Sequence, residues 1–208
     1  MAEIIVTNLN DSGVGSLRQA LDQANAATDS DTIRFSDALN GQAIKLLSPL
    51  QITQGRVEIL GNTDQDGEAL ITISSDTSNP DQISQNLLNV AAPADTTLRN
   101  LVLSNGDNDR RYTPGVISIE GNLSIFDSTI TRNLVFGGFD PVVLANLGGQ
   151  LSVFDTVFSS NFIPDSYSTT LIAPDGGNSV AGIFNTGDGL LSIDRVVRRR
   201  IKWGIRVF

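Results

Sequence analysis

Residues 121–133 read G-N-L-S-I-F-D-S-T-I-T-R-N, and residues 149–161 read G-Q-L-S-V-F-D-T-V-F-S-S-N. The two stretches align without a gap at an offset of 28 residues: Leu123 answers Leu151, Ile125 answers Val153, Phe126–Asp127 answers Phe154–Asp155, Ser128 answers Thr156 and Asn133 answers Asn161. Self-similarity at a fixed period of this size marks a solenoid, in which each unit buries its apolar face only by stacking on its neighbours. Each strand residue advances the chain by about 3.3 Å, so one coil has room for three short strands and their turns. Coils stacked about 4.8 Å apart would lay like on like, with Leu123 over Leu151 and Ile125 over Val153 as inward aliphatic columns. Asn133 over Asn161 reads as an asparagine ladder at a bend, each amide bonding its neighbour and the turn backbone; the competing reading is a solvated turn.

The pattern continues outward from this pair. In L-R-N-L-V-L-S-N-G (98–106), Asn100 stands 27 residues before Asp127, and Asp194 stands 39 residues after Asp155, so that coil carries an insertion. Apolar runs eleven residues before the three aspartates align Val116, Leu144 and Ile183. Short β-rich runs broken by Gly and Asn predict an all-β chain folded as a parallel β-helix.

Composition agrees. Charged residues are only 18% of 208, while Gly, Ser, Thr, Asn and Asp abound, a bias toward short strands and turns over long helices. The chain has no Cys, which excludes disulfides and thiolate metal sites, and no His, which removes the commonest acid–base and transition-metal group. A net charge of −9 disfavours nucleic acid and anionic membranes as partners. No run approaches the roughly 18 apolar residues of a membrane-spanning helix, so no transmembrane segment is expected. The start, M-A-E-I-I-V-T-N, lacks the basic and apolar regions of a signal peptide.

Residues 1–60 read as an N-terminal cap. One short helix is expected over 16–26: Ser16 and Gln19 make an S-x-x-Q capping pattern, and Leu17, Ala20, Leu21 and Ala24 form a single apolar stripe, with Arg18, Gln19, Asp22 and Gln23 on the wet side. Such a cap is needed because a solenoid's last coil exposes its interior and its unpaired backbone together. Residues 61–194 read as coils, interrupted by polar excursions at 74–86, 105–114 and 163–179, where binding would be sought. Residues 195–208 form an atypical basic tail: six of the 14 Lys and Arg lie there and none of the 23 acids, so the tail carries +6 and residues 1–194 carry −15. The break in charge and register suggests a truncated or frame-shifted continuation, with further β-helix coils in a longer parent chain; the competing readings are a basic arm for an acidic partner or anionic lipid, and an outer-membrane barrel strand ending at Phe208, with which the apolar alternation is out of phase.

T-N-L-N-D-S-G-V-G-S-L-R-Q-A-L-D-Q-A-N-A (7–26), followed by D-T-I-R-F (31–35), resembles the N-terminal cap of bacterial right-handed β-helix surface proteins, and the later units resemble their G-x-L-T-I-x-N-S-T-I-S-x-N coils. This resemblance, within the wider pectate-lyase-like superfamily, spans nearly all of residues 3–194. It implies a right-handed parallel β-helix and, for many members, adhesin-like roles. It implies no particular activity, since that superfamily holds lyases, hydrolases, epimerases, tailspikes and stalks.

Candidate chemistry is sparse. Asn62-Thr63-Asp64 and Arg200-Ile201-Lys202 look like the N-T-D and R-I-K signatures of polygalacturonase-type hydrolases, but the paired aspartates and the G-H-G that complete that set are missing, and both tripeptides read as chance. Asp127 and Asp155, with Asp194 a possible third, form a carboxylate row suited to Ca²⁺; the competing reading is that D-S and D-T are turn formers whose carboxylates bond backbone amides. N-T-D-Q-D-G-E (62–68) carries the first half of a calcium loop, with Asp64 and Asp66 as ligands, but Ile73 stands where the bidentate Glu belongs. D-N-D-R-R (107–111) reads as a solvated loop. Phe126 and Phe154, with Phe136 and Phe139, could form a sugar-stacking strip, though the first two fit a stacked column better.

Two functions follow. The leading one is a non-catalytic β-helix module, a stalk or adhesin-like domain of a secreted or cell-surface bacterial protein, with no catalytic residues and no cofactor beyond a possible Ca²⁺. The alternative is a carbohydrate-active enzyme or glycan binder with a side groove. Expected partners are glycans or other surface proteins. The expected location is extracellular or at the cell surface, the alternative being a cytoplasmic fragment.

Overall fold

In the computed structural model the described residues are 1–76, 86–108, 116–135, 143–161, 183–185, 190–195 and 197–199. They build a parallel β-solenoid with three long sheets. Sheet A contains Ala2–Val6, Ser30–Phe35, Arg56–Leu60, Asp95–Arg99, Asn122–Phe126, Gln150–Phe154 and Leu190–Asp194, in that spatial order. Sheet B contains Ala43–Leu46, Ile71–Ser75, Leu101–Ser104, Thr129–Thr131, Val157–Ser159 and Val197–Arg199. Sheet C contains Leu50–Ile52, Leu88–Val90, Ile117–Ile119, Leu144–Asn146 and Ile183–Asn185. A minor pair joins Asp107–Asn108 to Leu134–Val135.

Alternation along each strand decides what faces inward. In sheet A, Ile4, Ile33, Ile59, Leu98, Ile125, Val153 and Ile193 fall in one column, coil upon coil. Beside it run Val57, Thr96, Leu123, Leu151 and Leu191. Leu123 and Leu151 therefore stack in register, as do Ile125 and Val153, and all four are buried. Each such side chain removed from water stabilises the fold by about 1.5–3 kcal/mol.

Gly121 and Gly149 mark the turn from sheet C into sheet A. A Cβ on Gly149 would overlap the carbonyl of Gly121, and one on Gly121 would crowd the carbonyls of Ala91 and Ala94. Backbone passes backbone there, which is why glycine recurs at the period.

Two register assignments shift by one residue. Ile117, not Val116, pairs with Leu144, which in turn pairs with Ile183. Asp194 pairs with Phe154, so Arg195 takes the position of Asp155. In L-L-S-I-D (190–194) the inward pair Leu191 and Ile193 sets the alignment, because burial outweighs the match of one aspartate to another. The tail's first residues continue the solenoid, Val197–Arg199 pairing with Val157–Ser159. Residues 200–208 lie outside the described residues.

The helix runs Leu17–Ala24, with Ser16 as N-cap and Asn25 as C-cap. Its stripe of Leu17, Ala20, Leu21 and Ala24 is buried and packs over the first coils. The Ser16 hydroxyl accepts from the Gln19 N–H, and the Gln19 side chain accepts from the Gly15 N–H. Arg18, expected on the wet side, is instead tied inward. Its guanidinium donates to Asp11 Oδ1 at 2.6 Å and to the Ser48 and Pro49 carbonyls at 2.7 and 3.0 Å. Asp11 Oδ1 also accepts from the Leu47 N–H. Asn25 covers the end of sheet C: its amide donates to the Gln51 carbonyl and accepts from the Thr53 N–H, replacing one peptide group of a missing strand.

Candidate functional site

Among the described residues, the candidate side chains lie at two corners of the solenoid, on the outer face of sheet A and in the 62–68 loop. The first corner joins sheet A to sheet B. Asn100, Asp127, Asp155 and Arg195 occupy it with φ of 56°, 48°, 45° and 49°. Asn and Asp are the side chains that tolerate this left-handed conformation best after glycine. The backbone N–H groups of Asp127 and Asp155 donate to the Phe154 and Asp194 carbonyls.

The hydroxyls that follow point inward. Ser128 Oγ and Thr156 Oγ1 donate to the carbonyls of Phe126 and Phe154 at 2.7 and 2.8 Å, and Ser128 Oγ accepts from the Leu101 N–H. The turn is thus satisfied by Ser and Thr, and the carboxylates are left to face outward. There each meets an arginine: Asp127 Oδ2 accepts from Arg99 Nη1 at 2.8 Å, and Asp155 Oδ2 accepts from Arg195 Nη2 at 2.8 Å. The carboxylates are substantially exposed, so each pair contributes about 0–1 kcal/mol.

Asp194, considered as a third member of this row, stands instead in the outward column of Arg99, Phe126 and Phe154. Among the described residues no group of three or more carboxylates comes together as a metal centre.

That outward column sets the orientation of the aromatic rings. Phe126 and Phe154 stack with centroids 5.1 Å apart and planes 9° from parallel, the separation that coil stacking imposes. The Arg99 guanidinium lies 4.4 Å from the Phe126 centroid. Both faces of Phe126 are therefore occupied, one by Arg99 and the other by Phe154, so this ring offers its edge and not a flat platform. Beside it runs a row of hydroxyls, Thr97, Ser124, Ser152 and Ser192. Phe136 and Phe139 lie outside the described residues, as do Arg200-Ile201-Lys202, residues 109–114 of the first loop and the whole of 163–179.

The second corner holds the asparagine ladder. Asn133 and Asn161 are 1% and 4% exposed, so water cannot serve their amides. Asn133 Nδ2 donates to Asn161 Oδ1 at 3.0 Å, and the same oxygen accepts from the Asn133 N–H. Asn133 Oδ1 accepts from the Gly106 N–H, while the Nδ2 groups of Asn133 and Asn161 reach the carbonyls of Leu103 and Ile130. A further buried amide, Asn146, had no signal beyond its place in L-A-N; it donates to the Gly149 carbonyl and accepts from the Gly149 N–H.

The 62–68 loop is closed on itself. Asp64 Oδ1 accepts from the N–H groups of Asp66 and Glu68, both at 2.9 Å. Asn62 donates to the Phe35 carbonyl and to Asn40 Oδ1, fastening the loop to the coil before it. Of the D-N-D-R-R segment, Asp107–Asn108 form a short strand and the remainder lies outside the described residues.

Fold and corners together define a parallel β-solenoid whose turns are held by repeated polar side chains. No family model matches the chain, and no curated protein matches it. No helix among the described residues is long and apolar enough to cross a membrane.

Proposed function

We propose that this chain is a non-catalytic solenoid module of a secreted or surface-displayed bacterial protein, a stalk or adhesin-like segment continued by further coils. The observation that carries the reading is where the polar side chains of the two described corners are spent. Asp127 and Asp155 are each engaged by an arginine, and Ser128, Thr156, Asn133 and Asn161 are engaged by backbone. Acid–base catalysis needs a titratable group free to meet substrate. The resemblance of the cap and coils to bacterial β-helix surface proteins supports export and a structural or adhesive role.

The test is a screen for cleavage of acidic and neutral polysaccharides at alkaline pH with added calcium. No product is expected. Turnover that disappears in Asp127→Ala would overturn the reading.

The second reading, a glycan binder, is supported by the hydroxyl row Thr97, Ser124, Ser152 and Ser192 beside the Phe126 and Phe154 rings. Its partner would be a polyhydroxylated chain lying along the solenoid axis. Saturable glycan-array binding lost on Phe154→Ala would favour it over a purely structural role.

A further inference from the structure

The three sheets end differently on the helix side. Sheet C ends at Leu50–Ile52, where the Asn25 amide occupies the outer Gln51 carbonyl and Thr53 N–H. Sheet B ends at Ala43–Leu46, which carries the exposed Lys45, a charge of the kind that discourages edge pairing. Sheet A ends at Ala2–Val6, and among the described residues no strand pairs with its outer edge.

Val6 is in register with Phe35, and its carbonyl accepts from the Ser36 N–H, so Val6 and, by alternation, Ile4 direct their backbone toward the Ser30–Phe35 strand. Glu3 and Ile5 then direct theirs to the open edge, with side chains on the outer face. The edge has no Pro, and its single charge, Glu3, is already neutralised by Arg34 at 3.1 Å. Ile5 is 43% exposed and Met1 91%, two of only four exposed large hydrophobic side chains among the described residues.

We infer that this edge pairs antiparallel with the same edge of a second copy, about a dyad through Ile4. The arrangement is self-complementary. Glu3 falls opposite the partner copy's Ile5 and Ile5 opposite its Glu3, each pair exchanging two backbone hydrogen bonds. Ile4, half-buried against the core, meets its own counterpart on the inner face. Charge favours this register. The two Glu3 carboxylates are never directly opposed, and each enters the row that contains the other copy's Arg34. The interface is isologous and closed, which continues sheet A across the dyad without polymerising. One short strand per copy places it in the weak, concentration-dependent class.

The full chain is examined by sedimentation velocity, with the expectation of monomer near about 1 µM and dimer at several hundred µM. Ile5→Glu puts like charges face to face twice and should weaken the dimer about fivefold or more, whereas Ile5→Lys puts a cation opposite Glu3 and should hold or strengthen it. A nonspecific apolar contact would lose affinity in both variants. Since the chain has no Cys, Ile4→Cys should cross-link to its counterpart under mild oxidation, faster than the more exposed Ile5→Cys, which faces Glu3. Thermal melts of each variant confirm that the solenoid is intact. A chain monomeric at every concentration, equal weakening by Ile5→Glu and Ile5→Lys, or Ile5→Cys cross-linking as fast as Ile4→Cys would each overturn the inference.

Discussion

The capped end and the central coils solve the same problem by opposite means. Around residues 121–161 the buried polar groups of the repeat find partners that the period supplies in the same coil or the next, so a single residue choice, copied at the period, works repeatedly: Ser128 and Thr156 bond the Phe126 and Phe154 carbonyls, and Asn133 and Asn161 reach equivalent backbone positions. At the capped end there is no next coil. Asp11, Arg18 and Asn25 each do one job once, and none recurs. Repetition secures the middle of a solenoid, and its end must be secured by side chains that imitate a strand.

Deleting residues 1–35 should have the largest effect, because it removes the helix, the first two strands of sheet A and the Asp11–Arg18 and Asn25 contacts together. The truncated chain is expected to aggregate, read by light scattering and size exclusion. A soluble, monomeric, β-rich product would show that the cap is dispensable. Within the coils, Leu151→Ala empties a fully buried layer and should cost about 2–5 kcal/mol in chemical denaturation. An unchanged midpoint would mean that the Leu123–Leu151 column does not carry the core.

The sharpest contrast uses one residue type at both places. Asn133→Ala leaves the buried Gly106 N–H without its acceptor, a loss of about 1–3 kcal/mol. Asn25→Ala frees groups that water can reach, so about 1 kcal/mol or less is expected from the same measurement. Equal losses would contradict the distinction between a buried ladder and an accessible edge. The smallest predicted effect has the opposite sign. Thr96 is buried in the inward column between Val57 and Leu123, and its hydroxyl is the one buried side-chain polar atom among the described residues without a partner. Thr96→Val should raise stability by about 1 kcal/mol, seen as a higher melting temperature.

Periodicity alone located the inward columns through Leu123 and Leu151 and the amides at 133 and 161, since both depend on spacing that the chain repeats. It erred where letters and pattern disagreed. Val116 and Ile117 are both apolar and both buried, so alternation could not choose between them, and Asp194 looked like Asp155 although its neighbours Leu191 and Ile193 set it opposite Phe154. The outward path of the Asp127 and Asp155 carboxylates depended on the inward hydroxyls of Ser128 and Thr156 having already satisfied the turn, a competition between neighbouring groups that spacing does not reveal.

By itself the sequence determined the coil, because a period of 28 residues with Leu and Ile at alternating positions has one economical way to bury them. Tertiary structure decided which polar residues close the end. Arg18 looks like a solvent-facing residue of an amphipathic helix, and Asn25 looks like an ordinary helix stop. Both are recruited by carbonyls some thirty residues away, at Ser48, Pro49 and Gln51. Unpaired backbone at a sheet's edge exists only once the sheet has formed, so the need that Arg18 and Asn25 meet is not written near them in the chain.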